Sequence, residues 1–321
     1  MAIPVSRRLD FSEIPVIDAA PLIDGNSAEA GRTIAALGKA CSEVGFIYVR
    51  NHGVPRELVA RMAGLAKSFF ARPMDEKMKI VLDQRMRGYL PLNYRSYEDE
   101  ARAGTSHQEG FWIGHERPLS AAFPLDGPNQ WPDGLPDLKP TMLAYFAAVE
   151  ELSGVLQRGF ALALGLAPDF FRALFRAPNS RLKLNHYPPQ GAPEADNDIG
   201  VVPHSDSGGF TILWQDDSGG LEVQSKSGEW VGAPPIDDTF VINLGNVMQI
   251  WTGGRFSSTP HRVINRSGRD RYSVPLFVNP DSSARIAPLL APSTADFVPF
   301  RYGDYQRDEW RRIFPVAKIP A

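Results

Sequence analysis

Six short β-like segments in the second half of the chain limit the fold more than any other feature of the sequence. They cover residues 182–187, 210–214, 221–224, 240–244, 261–265 and 272–278. Turn residues separate them, and the 28 prolines among 321 residues are about 9% of the chain, against roughly 5% in typical proteins. Short strands at this spacing are typical of an all-β sandwich or a jelly roll.

The first hundred residues predict a mixed αβ unit. Short β-rich runs at 14–18 and 46–49 alternate with segments in which apolar residues recur three and four positions apart, as on the buried face of a helix. Cys41, the only cysteine, lies on one of these apolar faces and is therefore predicted to be a core residue. Because a single cysteine forms no internal disulfide, the sequence indicates a reducing compartment.

Helical periodicity returns over residues 135–166, with Pro140 near the first turn. This segment is long enough to brace a sheet, and a charged amphipathic helix is predicted over 304–314. Residues 83–117 are polar and show no sustained period. We expect irregular structure there, near the entrance of a site.

The charge balance argues against nucleic acid and membrane partners. The 34 basic and 37 acidic residues give a formal net charge of −3, so no overall positive field attracts a polyanion. The longest nearly apolar stretch, 160–167, is less than half the roughly 20 residues that a membrane-spanning helix needs. We expect a cytoplasmic protein, and the sequence does not predict its oligomeric state.

His204, Asp206 and His261 are candidate metal ligands. His204 and Asp206 are two positions apart, so on an extended backbone their side chains project to the same face. His261 begins another predicted strand. Two imidazoles and one carboxylate form the facial triad typical of non-haem iron(II) in oxygen-activating enzymes. Zinc hydrolases use the same ligand types, so the ligands alone leave both metals open.

Arg271 and Ser273 favour the oxygenase. Alternation places them on one face of a predicted strand, where a guanidinium fork and a hydroxyl match a carboxylate. An oxygenase that chelates a 2-oxo acid needs such a group for the far carboxylate, whereas a zinc hydrolase has no general need of one. Asn185 and Tyr187 share a face of strand 182–187, from which Tyr187 would complete this grip and Asn185 would reach towards the metal-bound end.

The chain resembles the iron(II)/2-oxoglutarate-dependent dioxygenases of the isopenicillin N synthase type. The segments that carry the resemblance occur in order along most of the chain. They are Ile14-Pro15-Val16-Ile17-Asp18, Asn51-His52-Gly53-Val54-Pro55, Arg87-Gly88-Tyr89, Asn185-His186-Tyr187-Pro188-Pro189, His204-Ser205-Asp206, His261-Arg262-Val263 and Arg271-Tyr272-Ser273.

The resemblance implies an α+β fold with a mainly β core, namely a double-stranded β-helix (jelly roll) flanked by helices. An N-terminal αβ region over 1–105 would precede a helix-braced jelly-roll core over 106–321, the two forming one compact unit. The resemblance also implies His204, Asp206 and His261 as the iron ligands. Arg271, Ser273, Tyr187 and Asn185 would bind 2-oxoglutarate.

The implied activity uses iron(II), 2-oxoglutarate and O2. Oxidative decarboxylation of 2-oxoglutarate would be coupled to hydroxylation, desaturation or cyclisation of a small molecule. Isopenicillin N synthase itself uses no 2-oxoglutarate, so Arg271 and Ser273 would then hold the carboxylate of the substrate. An ethylene- and succinate-forming enzyme would need an arginine-like second ligand, with Glu109 as its partner. A metal-free jelly-roll binding protein is the remaining alternative.

The candidate substrate contacts mix charged and aromatic side chains. They are Arg87, Tyr89, Glu109 and Phe277, with Tyr94, Arg95 and Trp112 as further candidates. Small polar metabolites and flat natural products are both compatible with this mixture, so the sequence does not identify the substrate. Of the other histidines, His52 and His186 are predicted to be structural, and His107 and His115 to be solvated loop residues.

Overall fold

A computed structural model describes residues 10–25, 27–92, 106–119, 125–189, 199–290 and 297–314. Within these residues the strands are β1 (Val16–Asp18), β2 (Phe46–Arg50), β3 (Gly88–Leu90), β4 (Glu109–Gly114), β5 (Arg181–Tyr187), β6 (Val201–His204), β7 (Phe210–Gln215), β8 (Leu221–Gln224), β9 (Trp230–Gly232), β10 (Thr239–Leu244), β11 (His261–Val263), β12 (Arg271–Val278), β13 (Arg285–Ile286) and β14 (Phe300–Arg301). The helices are α1 (Ala20–Asp24), α2 (Ser27–Glu43), α3 (Arg56–Phe70), α4 (Met74–Met78), α5 (Leu138–Ala163), α6 (Asn246–Trp251) and α7 (Tyr302–Ile313), with a 3₁₀ helix at Phe171–Phe175.

Two sheets form the core. The major sheet has eight strands in the order β1-β2-β10-β7-β12-β5-β4-β3, and the minor sheet has four in the order β6-β11-β8-β9. All pairs are antiparallel except β1 with β2. An apolar cluster joins the sheets, with Tyr48 and Val241 from the major sheet and Leu221 and Val263 from the minor one. The fold is the predicted jelly roll with an α+β composition.

The other face of the major sheet is covered by helices. The predicted long helix is α5, and its Leu156 and Phe160 are fully buried in the cluster that also contains Ile212 and Leu276 of the sheet. Burying a side chain of this size contributes roughly 1.5–3 kcal/mol. Helix α5 therefore braces the sheet, as its apolar period predicts.

Irregular structure was predicted for residues 83–117, and this prediction is wrong in part. This stretch contains β3 and β4, which pair with each other, and β4 also pairs with β5. All six residues of β4 are buried. A strand buried on both faces shows no polar alternation, so periodicity does not reveal it. Strands from both sides of residue 105 lie in one sheet.

Cys41 is buried, as predicted, and burial raises the pKa of its thiol. Among the described residues, no helix has both the length and the apolar character that a membrane crossing requires.

Candidate metal and cosubstrate site

The structure brings the three predicted metal ligands together. His204 ends β6 and His261 begins β11, and the two residues are opposite each other in the minor sheet. Asp206 follows β6 by two residues. His204 Nε2 lies 3.7 Å and His261 Nε2 lies 3.9 Å from Asp206 Oδ1. All three ligand atoms lie within 4.8 Å of one another, which suits one ion at ordinary ligand distances of about 2 Å.

Backbone carbonyls orient both imidazoles. His204 Nδ1 lies 2.9 Å from the carbonyl oxygen of Val202, and His261 Nδ1 lies 3.2 Å from that of Thr259. A carbonyl accepts a hydrogen bond, so the ring proton belongs on Nδ1 and the lone pair on Nε2. Both histidines therefore present a metal-binding nitrogen towards Asp206.

Two side chains of the major sheet hold the Asp206 carboxylate. Thr211 Oγ1 donates to Asp206 Oδ2 at 2.5 Å and Asn243 Nδ2 donates to the same oxygen at 2.7 Å. Burial works to raise the pKa of this carboxyl, but His261, His204 and these hydrogen bonds together outweigh it and lower the pKa. Sequence reasoning missed Thr211 and Asn243 because nothing local links them to Asp206.

Asn243→Ala is expected to weaken metal binding by about 10- to 100-fold, as is typical when a hydrogen-bond partner of a metal ligand is lost. The alanine would leave Asp206 Oδ2 with one donor instead of two. Anaerobic calorimetry with Mn(II) measures the change, and Thr239→Ala on the same strand is the control. Equal affinity of Asn243→Ala and wild-type protein would contradict this role.

The four predicted cosubstrate residues lie side by side on β5 and β12. Arg271 pairs with Tyr187 and Ser273 pairs with Asn185 in the strand register. The guanidinium carbon of Arg271 lies 4.7 Å from the centre of the Tyr187 ring. Asn185 Nδ2 donates to Ser273 Oγ at 3.4 Å. The side chains therefore form one continuous polar surface.

Arg271 is buried with part of its hydrogen-bonding capacity unused. Nε donates to the carbonyl of Gly219 at 2.6 Å and Nη2 donates to Gln215 Oε1 at 3.3 Å. Nη1 is buried without a partner, and within the described part of the chain no carboxylate pairs with this guanidinium. A buried cation needs an anion, so the residues present fit a carboxylate ligand.

One cavity contains both the triad and the polar surface. Its walls include Phe46, Gln108, Lys183, Asn185, Tyr187, Val201, His204, Asp206, Thr211, Leu213, Leu221, Asn243, His261, Val263, Arg271, Ser273, Pro275 and Phe277. Gln108 and Lys183 are additions that sequence reasoning missed. Lys183 lies two residues before Asn185, so the alternation of β5 would have placed it on this face.

A second cavity shares His204, Asp206 and Phe277 with the first. Its other walls are Trp112, Ser205, Ser207, Gly208, Asn279, Gln306, Glu309, Trp310, Ile313 and Phe314. Much of this wall comes from α7, whose amphipathic pattern the sequence shows. His204 and Asp206 therefore line both cavities, and the second cavity has a partly aromatic wall.

Two family models match the chain. The N-terminal model described as non-haem dioxygenase in morphine synthesis matches residues 14–134, and the 2OG-Fe(II) oxygenase superfamily model matches residues 178–280. A 2-oxoglutarate-Fe(II) type oxidoreductase of Emericella nidulans is 35% identical over 95% of this chain and 91% of its own length. The chain belongs to the 2OG-Fe(II) oxygenase superfamily. The predicted domain boundary at residue 105 stays a prediction.

Solved structures and another relative agree with this assignment. A full-length Neurospora crassa protein, solved in complex with alpha-KG and thymine, has a TM-score of 0.82 and 26% identity and covers 92% of this oxygenase and 96% of its own chain. JOX2, solved in complex with 2OG, Fe and JA, has a TM-score of 0.78 and 29% identity, and the match covers 93% of this chain and 85% of the JOX2 chain. A homoarginine-6-hydroxylase of Glycine max is 35% identical over 87% of this chain and 89% of its own. The protein is an oxidoreductase that uses iron(II) and 2-oxoglutarate.

The predicted substrate residues of the oxygenase do not all reach the cavities. Phe277 lines both cavities. Arg87 is fully buried but lines neither of them, and it donates to the carbonyl of Arg85 at 2.9 Å. Tyr94 and Arg95 lie outside the described residues.

Glu109 and Tyr89 lie on the opposite face of the major sheet, which corrects the expectation that they contact substrate. Glu109 accepts hydrogen bonds from Tyr89 and, at 2.8 Å, from Lys77. His186 Nδ1 lies 2.7 Å from Glu109 Oε1, and its Nε2 lies 2.8 Å from Asp270 Oδ1. His186 is therefore structural, as predicted, and Glu109 belongs to a buried charge network.

Replacing Glu109 is expected to destabilise the oxygenase. Glu109→Ala would leave the Lys77 ammonium buried without its ion pair, which typically costs about 3–5 kcal/mol of the free energy of unfolding. Urea unfolding of Glu109→Ala measures this loss, with the exposed Glu151→Ala as the control. Unchanged stability would contradict the structural role.

The contribution of Glu109 to the free energy of unfolding also depends on pH. Burial works to raise the pKa of this carboxyl, but hydrogen bonds from His186, Lys77 and Tyr89 outweigh it and lower the pKa. The stabilisation is therefore complete above the ordinary pKa of glutamate and is lost as pH falls through the lower pKa of the folded state. The difference in the free energy of unfolding between wild type and Glu109→Gln should therefore decrease as pH falls from the ordinary pKa of glutamate through the lower pKa of the folded state.

Proposed function

We propose that His204, Asp206 and His261 hold iron(II) and that Arg271 with Ser273 binds the far carboxylate of 2-oxoglutarate. Tyr187 and Asn185 complete the grip, Tyr187 by stacking on the guanidinium and Asn185 by fixing Ser273. The observation that carries this proposal is the buried Arg271, which lacks an anionic partner among the described residues and faces the same cavity as the triad.

Bound iron and 2-oxoglutarate supply oxygen activation, in which O2, 2-oxoglutarate and a substrate C–H bond give succinate, CO2 and an oxidised substrate. The protein's own contribution is to position these groups. Arg271 and Ser273 fix one end of the 2-oxo acid, and Thr211 and Asn243 fix the Asp206 carboxylate. The aromatic side chains of the second cavity lie beside His204 and Asp206.

We propose a small molecule as the substrate and hydroxylation as the reaction. The second cavity lies beside His204 and Asp206 and is lined by side chains of this chain, as a site for a small ligand would be. The names of the relatives support this class, since they include thymine, JA and homoarginine as ligands or substrates. The ethylene-forming alternative loses its support because Glu109, its proposed arginine partner, faces away from the cavity. The cytoplasmic location stays a prediction.

Coupled turnover tests the proposal. Protein loaded anaerobically with iron(II) is mixed with 2-oxoglutarate and air-saturated buffer, and succinate, CO2 and ethylene are measured with and without a panel of candidate substrates. We expect succinate and CO2 in equal amounts, with stimulation by the true substrate. O2 consumption that does not need 2-oxoglutarate would instead favour the oxidase alternative, and ethylene would favour the ethylene-forming one.

A further inference from the structure

A row of side chains crosses three neighbouring strands on the face of the major sheet opposite to the cosubstrate residues. Glu109 of β4 pairs with His186 of β5, and His186 pairs with Tyr272 of β12. The rings of His186 and Tyr272 stack, with their centres 4.8 Å apart and an angle of 14° between their planes. The row therefore links β4, β5 and β12 through side chains as well as through the backbone ladder.

This row lies directly behind the proposed grip on 2-oxoglutarate. Successive residues of a strand project to alternate faces of the sheet. His186 lies between the two cosubstrate residues of β5, and Tyr272 lies between the two of β12. A change in the backbone at His186 or Tyr272 would therefore move the side chains that form the grip on the other face.

The grip lies where both strands end. Tyr187 is the last residue of β5 and Arg271 is the first residue of β12, and the two are paired. The ends of secondary-structure elements open at a lower cost in free energy than their centres. A contact beyond the ladder would therefore help to hold Arg271 in place.

His186 provides such a contact. Its Nδ1 lies 2.7 Å from Glu109 Oε1, and its Nε2 lies 2.8 Å from Asp270 Oδ1. Ionised carboxylates only accept hydrogen bonds, so both ring nitrogens donate and the ring is an imidazolium. Hydrogen bonds between charged groups are among the stronger ones. Because Asp270 immediately precedes Arg271, this bridge ties the start of β12 to β5 and β4.

The two ends of the bridge differ in burial. The side chain of Glu109 is 7% exposed, whereas that of Asp270 is 53% exposed. Glu109 also pairs with Lys77 at 2.8 Å, which fixes the inner end in the interior. An ion pair with an exposed partner contributes little to the free energy of unfolding. Replacing Asp270 should therefore affect the position of Arg271 without unfolding the protein.

We propose that His186 and Asp270 are positioning residues for the binding of 2-oxoglutarate. Their bridge holds the start of β12 against β5, and so holds the Arg271 guanidinium where the far carboxylate of the cosubstrate binds. In the described part of the chain, neither side chain is among those that line the two cavities. This inference rests on the proposed function, which assigns Arg271 to 2-oxoglutarate.

Replacement of Asp270 tests the inference. Asp270→Ala should raise the Kd of the Mn(II)-loaded protein for 2-oxoglutarate by about 3-fold or more, on the scale of the coupling between neighbouring groups. Asp270→Asn keeps an oxygen that accepts from His186 and should recover most of the affinity. Asp217→Ala removes another exposed carboxylate, the surface partner of Arg269, and should not change the Kd. Calorimetry measures these values and the affinity for Mn(II), which should be the same in all four proteins.

Two further measurements distinguish positioning from a structural role alone. The KM for 2-oxoglutarate should rise in Asp270→Ala, whereas succinate release at saturating 2-oxoglutarate should be retained. The double variant His186→Gln/Asp270→Ala should have the Kd of the weaker-binding single variant, because both changes break the same bridge. If His186→Gln does not fold, the series at Asp270 decides.

Three results would overturn the inference. These are a wild-type Kd in Asp270→Ala, an equal rise of the Kd in Asp217→Ala, and single effects of His186→Gln and Asp270→Ala that multiply in the double variant. Arg271→Gln is measured in parallel. If Arg271→Gln raises the Kd for 2-oxoglutarate while Asp270→Ala does not, only the positioning role is wrong. If Arg271→Gln leaves the Kd unchanged, the proposed function itself fails.

Discussion

His261→Ala is expected to lower iron affinity by more than about 100-fold, because loss of a ligand should exceed the 10- to 100-fold loss seen when a hydrogen-bond partner of a ligand is removed. The variant would offer the proposed ion two protein ligands, His204 and Asp206, instead of three. Turnover of 2-oxoglutarate should fall with metal occupancy. Anaerobic titration with iron(II), followed by succinate measurement at saturating metal, separates the two effects.

His115→Ala is the matched control for this experiment. His115 lies beside Glu150 and the Phe146 ring, away from the triad, and lines neither of the two cavities. Its replacement should leave iron affinity unchanged. Thermal unfolding of both metal-free variants checks that His261→Ala still folds. Wild-type iron affinity in a folded His261→Ala protein would show that the triad is not the metal site.

The second large effect is expected for Arg271→Gln, which should raise the Kd for 2-oxoglutarate by about 30-fold or more. Truncating one member of a buried charged hydrogen-bonded pair typically costs about 2–5 kcal/mol. The Kd of Arg271→Lys for 2-oxoglutarate should lie between those of the wild type and Arg271→Gln, because lysine keeps the charge but loses the planar fork. Iron affinity should not change in either variant, since Arg271 belongs to the polar surface and not to the triad.

Titration of the Mn(II)-loaded protein with 2-oxoglutarate measures this change. Arg269→Gln is the control, because Arg269 is exposed and pairs with Asp217 at 3.0 Å on the surface. An unchanged Kd in Arg271→Gln would show that the guanidinium does not bind 2-oxoglutarate. A fall in iron affinity without a change in 2-oxoglutarate affinity would assign Arg271 to the metal site instead.

The proposed ligands and the cosubstrate grip could be predicted from sequence because each depends on local alternation. His204 with Asp206 and Arg271 with Ser273 are pairs two positions apart, and a strand places such pairs on one face. Their meeting in space depends on strand order, which the resemblance to a known fold supplied. Thr211 and Asn243 could not be found in this way, because only the packing of Asp206 against the major sheet brings them together.

The residues around the proposed substrate cavity were harder to predict from the sequence. Glu109 was a candidate substrate contact because it is a charged residue of the polar stretch 83–117, but the register of β4 against β5 pairs it with His186 and turns it away from the cavity. Because β4 is buried on both faces, no polar alternation marks which face is which. The contribution of Gln306 and Trp310 depends on how α7 packs after a long separation in sequence, and no local pattern encodes it.

The three proposed ligands belong to different layers of the jelly roll. His204 and His261 belong to the minor sheet, whereas Asp206 is tied by Thr211 and Asn243 to the major sheet. An ion coordinated by all three would cross-link the two layers, so its binding free energy would also oppose their separation. Turnover and part of the stability of the jelly roll would then depend on the same metal–ligand bonds, in addition to the apolar cluster that joins the two sheets. Loss of iron would lower the free energy of unfolding as well as the activity.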